Sequence, residues 1–401
     1  MTKAAQWTWL VYMAGDNNLQ GAGSDDLDEM KRVGSTDDVN VIVQFDTKAN
    51  KTTRYRVEKN KLKSLQQMPG VDCGDPKVLA SFIQWGMKTF PATHYLLDVW
   101  NHGGGWENLP ADYNYDAIRA AKPQAAARLR RLKRALFRTT VKRIHARPPS
   151  ARAIAIDCGS HDYLDNQELR AAVAKALPAG RKLDVFACDA CLMNMLEIAY
   201  EMKDTARFMV GSEETEPGAG WPYAAILKPL TARPTMTPAE LAKLVVVEYR
   251  KSFQRGGDAT TQSALDLGRV SAAAAAVNEL ADLLLADLPN VAGAVTLARD
   301  RTQKFEMPEY VDLGDFAAQL AQRVPHNPKI QTAVRAIQAA LDPSAAGAFV
   351  IQNGTTGAKM ARATGVSIYF PHPEDYAPDY RDLQFSRDGR WKTFLEALFK
   401  A

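Results

Sequence analysis

Cys188 and Cys191 stand three residues apart in DVFACDACLMNMLE (residues 184–197), directly after an apolar run. His102 stands in WNHGGGW (residues 100–106), directly after another. A thiol pair at this spacing admits three chemistries. A dithiol redox centre using Cys188 and Cys191 needs the motif at a helix start in a small domain, usually with a cis-proline nearby, and neither is apparent. A structural zinc site needs two further ligands at suitable spacing, and the sequence has no second Cys pair and no His pair to supply them. The third is a cysteine nucleophile served by a distant histidine. On that reading Cys191 is the nucleophile. It follows a strand and opens a helix expected over 192–202, whose N-terminus would favour the thiolate. Cys188 is still on the strand, where a thiol behaves as a small packed hydrophobe. The glycines after His102 let backbone N–H groups come close to a reacting carbonyl.

These residues need a scaffold that brings two strand ends together. WTWLVYMA (7–14), VNVIVQFD (39–46), HYLLDVW (94–100), ARAIAIDC (151–158), KLDVFA (182–187) and RFMVGSEE (207–214) read as strands. Helical patterns alternate with them at 24–34, 75–90 and 165–177, and 52–68 reads as a polar hairpin. Such alternation predicts an α/β layered sheet, with functional groups at the carboxyl ends of its strands. From about 236 the chain turns helical, with late apolar runs at 345–353 and 363–371 that extend the main sheet or form a small one. The expected division is therefore 1–235, carrying the chemistry, and a helix-rich subdomain over 236–401.

The chain has 401 residues, 46% of them hydrophobic and 24% charged, enough for a sizeable core. No apolar run is long enough to span a bilayer. The N-terminus is a poor signal peptide and a good first strand, which gives a cytoplasmic expectation. Four cysteines are too few for a disulfide scaffold. The net charge of +4 hides an asymmetry. Residues 117–152 hold Arg119, Lys122, Arg128, Arg130, Arg131, Lys133, Arg134, Arg138, Lys142, Arg143, Arg147 and Arg152, with no acid among them, while the rest of the chain is acidic. This segment can form a basic amphipathic helix over about 124–145. Nucleic acid, an anionic membrane, an acidic partner protein or plain solvation on the body are its other readings, and nucleic acid is not favoured.

WTWLVYMAGDNNL, WNHGGGW, DACLMNMLEIAYEM and SEETEPGAGWPY, in that order, resemble the clostripain family of cysteine peptidases, over roughly residues 6–230. Weaker echoes, EYVDLGDFA and GVSIYFP, follow. The resemblance implies a caspase-like α/β/α sandwich with a mostly parallel central sheet. It implies a His102–Cys191 dyad, with the backbone N–H groups of Gly103 and Cys191 as the oxyanion site. It implies cleavage of proteins or peptides after Arg or Lys, with Asp189 in the specificity pocket. Glu213, Glu214 and Glu216 would be further acids near the substrate groove, and Asp16 and Asn17 would border the pocket. It also implies a zymogen cut within the basic segment, by itself or by an upstream peptidase. Calcium dependence occurs in the family, yet no EF-hand spacing is present and no cofactor or metal ligand set is expected. A catalytically silent scaffold of the same fold, or a thiol redox protein, are the competing functions.

Overall fold

The computed structural model describes residues 4–108, 115–120 and 152–401. Its framework is a nine-stranded sheet. In chain order the relevant strands are β1 (Ala5–Gly15), β2 (Val39–Thr47), β3 (Lys51–Glu58), β4 (Lys61–Pro69), β5 (Ala92–Trp100), β6 (Gly103–Asn108), β7 (Arg152–Asp157), β8 (Asp162–Leu164), β9 (Leu183–Asp189), β10 (Ala206–Gly211), β11 (Thr260–Asp266), β12 (Tyr310–Asp312), β13 (Val350–Thr356) and β14 (Ser367–Tyr369). The large sheet runs β13-β11-β10-β9-β5-β1-β2-β3-β4. Its five middle strands, β10 to β2, are parallel, and antiparallel strands flank them on both sides.

The middle strands are continuous apolar runs because both faces are covered. All of β1 but Gln6 is buried, and all of β9. One layer of helices comprises α1 (Gln20–Lys31) and the helices Tyr223–Ala232 and Pro238–Phe253. The other comprises α2 (Pro76–Thr89) and the helices Asn166–Ala176, Leu196–Met202 and Val270–Ala286. Local signals fix their starts: Asp165 with Glu168, and Thr237 with Glu240, form capping boxes. α2 buries Leu79, Ala80, Phe82, Ile83 and Gly86, with Val78, Trp85 and Met87 half-buried at the edge of that face.

Both late strands occur, displaced along the chain. β13 joins the main sheet beside β11, and β14 pairs with β12 in a two-stranded sheet. Core residues continue across residue 235, from Leu230 to Leu241, within one buried cluster. The C-terminal elements also support the strand ends that matter. Tyr310 Oη donates to the Gly104 carbonyl at 2.9 Å, and the amide of Ser367 donates to the Asn194 carbonyl. Gly105 sits at φ +74°, and a Cβ there would lie 2.5 Å from the Tyr310 ring and 2.9 Å from Met195 Sδ. Only glycine fits that turn. No helix among the described residues is long and apolar enough to cross a membrane.

The short helix Tyr115–Ala120 belongs to the basic segment, and Arg152 opens β7. The ten Lys and Arg residues from Lys122 to Arg147, and the helix expected over 124–145, lie outside the described residues.

Candidate active site

β5 and β9 are adjacent and parallel, with Trp100 opposite Asp189. His102 and Cys191 each lie two residues beyond that pair, so the register delivers them to neighbouring positions at one end of the sheet. The Asn101 amide donates to the Asp189 carbonyl at 3.3 Å. Gly103 packs so closely on the second turn that a Cβ would lie 2.3 Å from the Cys191 carbonyl oxygen and 3.1 Å from its nitrogen. The first glycine of the GGG run is thus a steric requirement of the two turns meeting. Gly103→Ala, made in a Cys191→Ala background, is expected to destabilise by about 1–3 kcal/mol, the usual cost of overpacking. A melting temperature equal to that of Cys191→Ala alone would show that the turns do not touch.

His102 is fully buried, and burial lowers its pKa to about 3. Its Nε2 lies 2.8 Å from Asn18 Oδ1. Asn101 fixes the turn through its side chain. Its Oδ1 accepts from the amides of His102 and Ile156, and its Nδ2 donates to the carbonyls of Ala14 and Ile156.

Cys191 is also fully buried, and its Sγ accepts the Glu216 amide at 3.3 Å. Burial raises its pKa well above that of an ordinary thiol. The expected helix start at 192 is corrected by the structure: the helix begins at Leu196, with Met195 at its N-cap. Leu192 instead takes φ +63°, and Leu192 and Asn194 give their amides to the loop after β10, Leu192 to the Glu214 carbonyl and Asn194 to that of Ser212. The N-terminus of that helix is therefore set back from the thiol, and burial favours the neutral forms of both Cys191 and His102. A left-handed non-glycine residue costs on the order of 1–3 kcal/mol, the kind of strain concentrated at functional turns.

Below the thiol lies a nest of carboxyls. Asp189, the last residue of β9, accepts Tyr223 Oη at 2.8 Å and the Trp221 amide at 3.2 Å on Oδ2. Asp98 on β5 accepts the Asp189 amide and Tyr223 Oη at 3.0 Å. Asp26 on α1 accepts the Trp100 indole at 2.8 Å. Gly220, at φ +55°, closes over them; a Cβ there would lie 3.1 Å from Asp189 Oδ2 and 3.3 Å from Asp26 Oδ2. Glu216 shares a hydrogen bond with Asp189 and completes the group. All four are buried, and burial favours their neutral forms, reinforced by like charge at Asp26, Asp98 and Glu216: Asp98 is pushed up to about 8, and Asp26, Asp189 and Glu216 are raised. Acids whose folded pKa is raised stabilise the fold fully below their unfolded value near 4 and lose that contribution as pH climbs through the folded value. The uncut chain is therefore expected to melt lower as pH rises from 4 to 8. Asp98→Asn should flatten that fall; a parallel slope would contradict the nest.

The other acids sit elsewhere. Glu213 is buried beside Asp312 and Gly365, away from Asp189. Glu214 accepts the amides of Thr215 and Glu306, lies 3.8 Å from Lys359, and lines a small surface pocket with Thr215, Glu216 and Pro217. Asp16 makes a bidentate ion pair with Arg119, at 2.5 and 2.8 Å. Asn17 spends its amide on the carbonyls of Ala14 and Ile156 and on the Leu19 amide. Both residues thus belong to the histidine side rather than to the Asp189 pocket. Cys188 is buried on β9 opposite Val99, and all four cysteines are free. Among the described residues one group, Asp46, Cys73 and Asp157, has ligand atoms within 4.8 Å of one another. Two carboxylates and a thiol do not fit calcium, which takes six to eight oxygens.

The turn that carries His102 thus meets the turn that carries Cys191, with buried acids nearby. The sequence profile of the clostripain family matches residues 11–120 and 142–397. The chain belongs to the clostripain family of cysteine proteases. Clostripain of Hathewaya histolytica is 25% identical over 258 residues, 56% of this chain, and the match spans 42% of that protein's length. Three structures share the caspase-like fold. A secreted C11 cysteine protease from Bacteroides thetaiotaomicron, in complex with an irreversible peptide inhibitor, aligns over 97% of this chain and all of its own, with TM-score 0.66 and 19% identity. Iotapain from the same organism aligns over 96% and 99%, with TM-score 0.68 and 14% identity. An inactive zymogen C11 protease from Parabacteroides distasonis aligns over 97% and 99%, with TM-score 0.64 and 18% identity. Among the residues gathered at the candidate site, Asn18, Asp26 and Asp98 were missed by sequence reasoning. Asp98 alone left a signal, a carboxylate inside the apolar strand HYLLDVW.

Proposed function

We propose that this chain is a cysteine endopeptidase that cleaves after Arg, and less well after Lys, through Cys191 and His102. The observation that supports it most is the close approach of Gly103 to the Cys191 backbone, which brings the His102 and Cys191 turns together. In the cycle, Cys191 gives its proton to His102 and its sulfur attacks the scissile carbonyl. The amides of Gly103 and Cys191 are the proposed donors to the oxyanion. The C–N bond breaks as His102 returns the proton to the leaving amine. Water, deprotonated by His102, then cleaves the thioester and regenerates the thiol.

A substrate guanidinium supplies the cation that the nest lacks. It would displace protons from Asp189 and Glu216 and form charge-assisted hydrogen bonds, with Arg favoured for its bidentate fork. We further propose that the chain is a zymogen cut within 117–152, by itself or by an upstream peptidase. The buried thiol and the neutral imidazole support a resting form that awaits rearrangement. Arg119 is already engaged by Asp16, which favours a cut farther along the segment. Fragment masses of the incubated chain test this. Fragments ending at a Lys or Arg between 122 and 152, appearing together with activity, are expected. Full activity from an intact chain would contradict it.

A further inference from the structure

We propose that Asn18 is a positioning residue that fixes the tautomer and orientation of His102, an inference that rests on the peptidase reading above. The amide oxygen of an asparagine only accepts hydrogen bonds, so the 2.8 Å contact from Asn18 Oδ1 requires the proton on Nε2. The lone pair is then on Nδ1, the nitrogen that takes the Cys191 proton and later returns it to the leaving amine. Which nitrogen of a histidine is protonated is set by the bond the other one makes. The Nε2–H bond survives when Nδ1 gains its proton, so the amide dipole also supports the transient imidazolium.

The contact is built by the scaffold. β1 and β5 are adjacent and parallel, with Met13 opposite Trp100, so the Asp16–Asn17–Asn18 turn leaves the sheet beside the His102 turn. Asn17 and Asn101 both donate to the same two carbonyls, those of Ala14 and Ile156, which bolts the two turns together. Arg119 holds Asp16, and the Asp16 carbonyl accepts the Cys158 amide at 2.9 Å. Asn18 itself is 5% exposed, so water competes little for its bond to the ring.

The test uses the full chain after processing, with Asn18→Ala and Asn18→Asp variants and an Arg-linked peptide. Loss of the bond in Asn18→Ala should lower kcat by about 10- to 100-fold, the scale of small misplacements of catalytic groups, with little change in KM. Asn18→Asp restores an acceptor and adds a negative charge, so it should recover most of kcat and move the acid limb of the pH profile, where the His102 imidazole must be neutral, upward. A merely structural role would lower stability without shifting that limb. Nitrogen-15 spectra of His102 in the wild-type chain should show Nε2–H. An Nδ1–H tautomer, or an Asn18→Ala variant with wild-type kcat, overturns the assignment. The spectra need no turnover, so they read the Asn18 contact even if the cleavage assay shows the peptidase reading to be wrong.

Discussion

Cys191→Ala is expected to lower kcat/KM toward an Arg-linked peptide by at least about 10⁴-fold, since removing a nucleophile from a covalent cycle leaves only binding and oxyanion stabilisation. The substitution is small and buried, so the melting temperature should change little, and an activity assay on folded protein can read the loss directly. Cys188→Ala is the matched control. Cys188 lies on β9, one strand position before Asp189, and makes no part of the proposed cycle. It should keep full peptidase activity. Loss in Cys188→Ala equal to that in Cys191→Ala would favour the dithiol reading, and retained activity in Cys191→Ala would leave the family's fold serving as a scaffold.

Asp189→Asn should lower kcat/KM for Arg substrates by about 100-fold or more. One charge-assisted hydrogen bond is worth about 1.5–3 kcal/mol, and a buried guanidinium without its counter-charge loses further. The loss should be much smaller for a substrate with a neutral residue before the scissile bond, because the change is confined to the pocket. A pH effect follows with a definite sign. Burial favours the neutral acids of the free nest and pushes Asp98 up to about 8, whereas a bound guanidinium favours their charged forms. Binding of Arg substrates should therefore tighten as pH rises from 5 to 8, and removing Asp98 or Glu216 should weaken that dependence. KM for Arg substrates that is flat over this range in the wild-type chain, or equal losses for cationic and neutral substrates in Asp189→Asn, would place specificity elsewhere.

The parts of this site legible in the sequence are those set by local patterning. β1, β5 and β9 are predominantly apolar runs because both sheet faces are covered, so their ends could be located, and His102 and Cys191 with them. Helix starts with a capping box or proline were equally readable, as at Pro76, Asn166 and Pro238. The start at Leu196 was not. LMNM looks helical, but the backbone of 192–194 is captured by the loop after β10, a contact more than 15 residues away in sequence. Asn18 and Asp26 were illegible for the same reason. One is an ordinary turn amide and the other an ordinary acid in SDDLDE, until the sheet brings them against His102 and Asp189. The thiol's acidity was misjudged because burial, which only the fold reveals, outweighs a helix end that is not there.

The most direct measurement is peptide mapping by mass spectrometry after the processed chain reacts with a peptide chloromethyl ketone carrying Arg next to the reactive group. The account predicts one adduct, on Cys191, formed rapidly in the wild-type chain and strongly slowed in both His102→Ala and Asp189→Asn. Labelling of Cys188 instead, or labelling of Cys191 at a rate indifferent to His102 and Asp189, would contradict it.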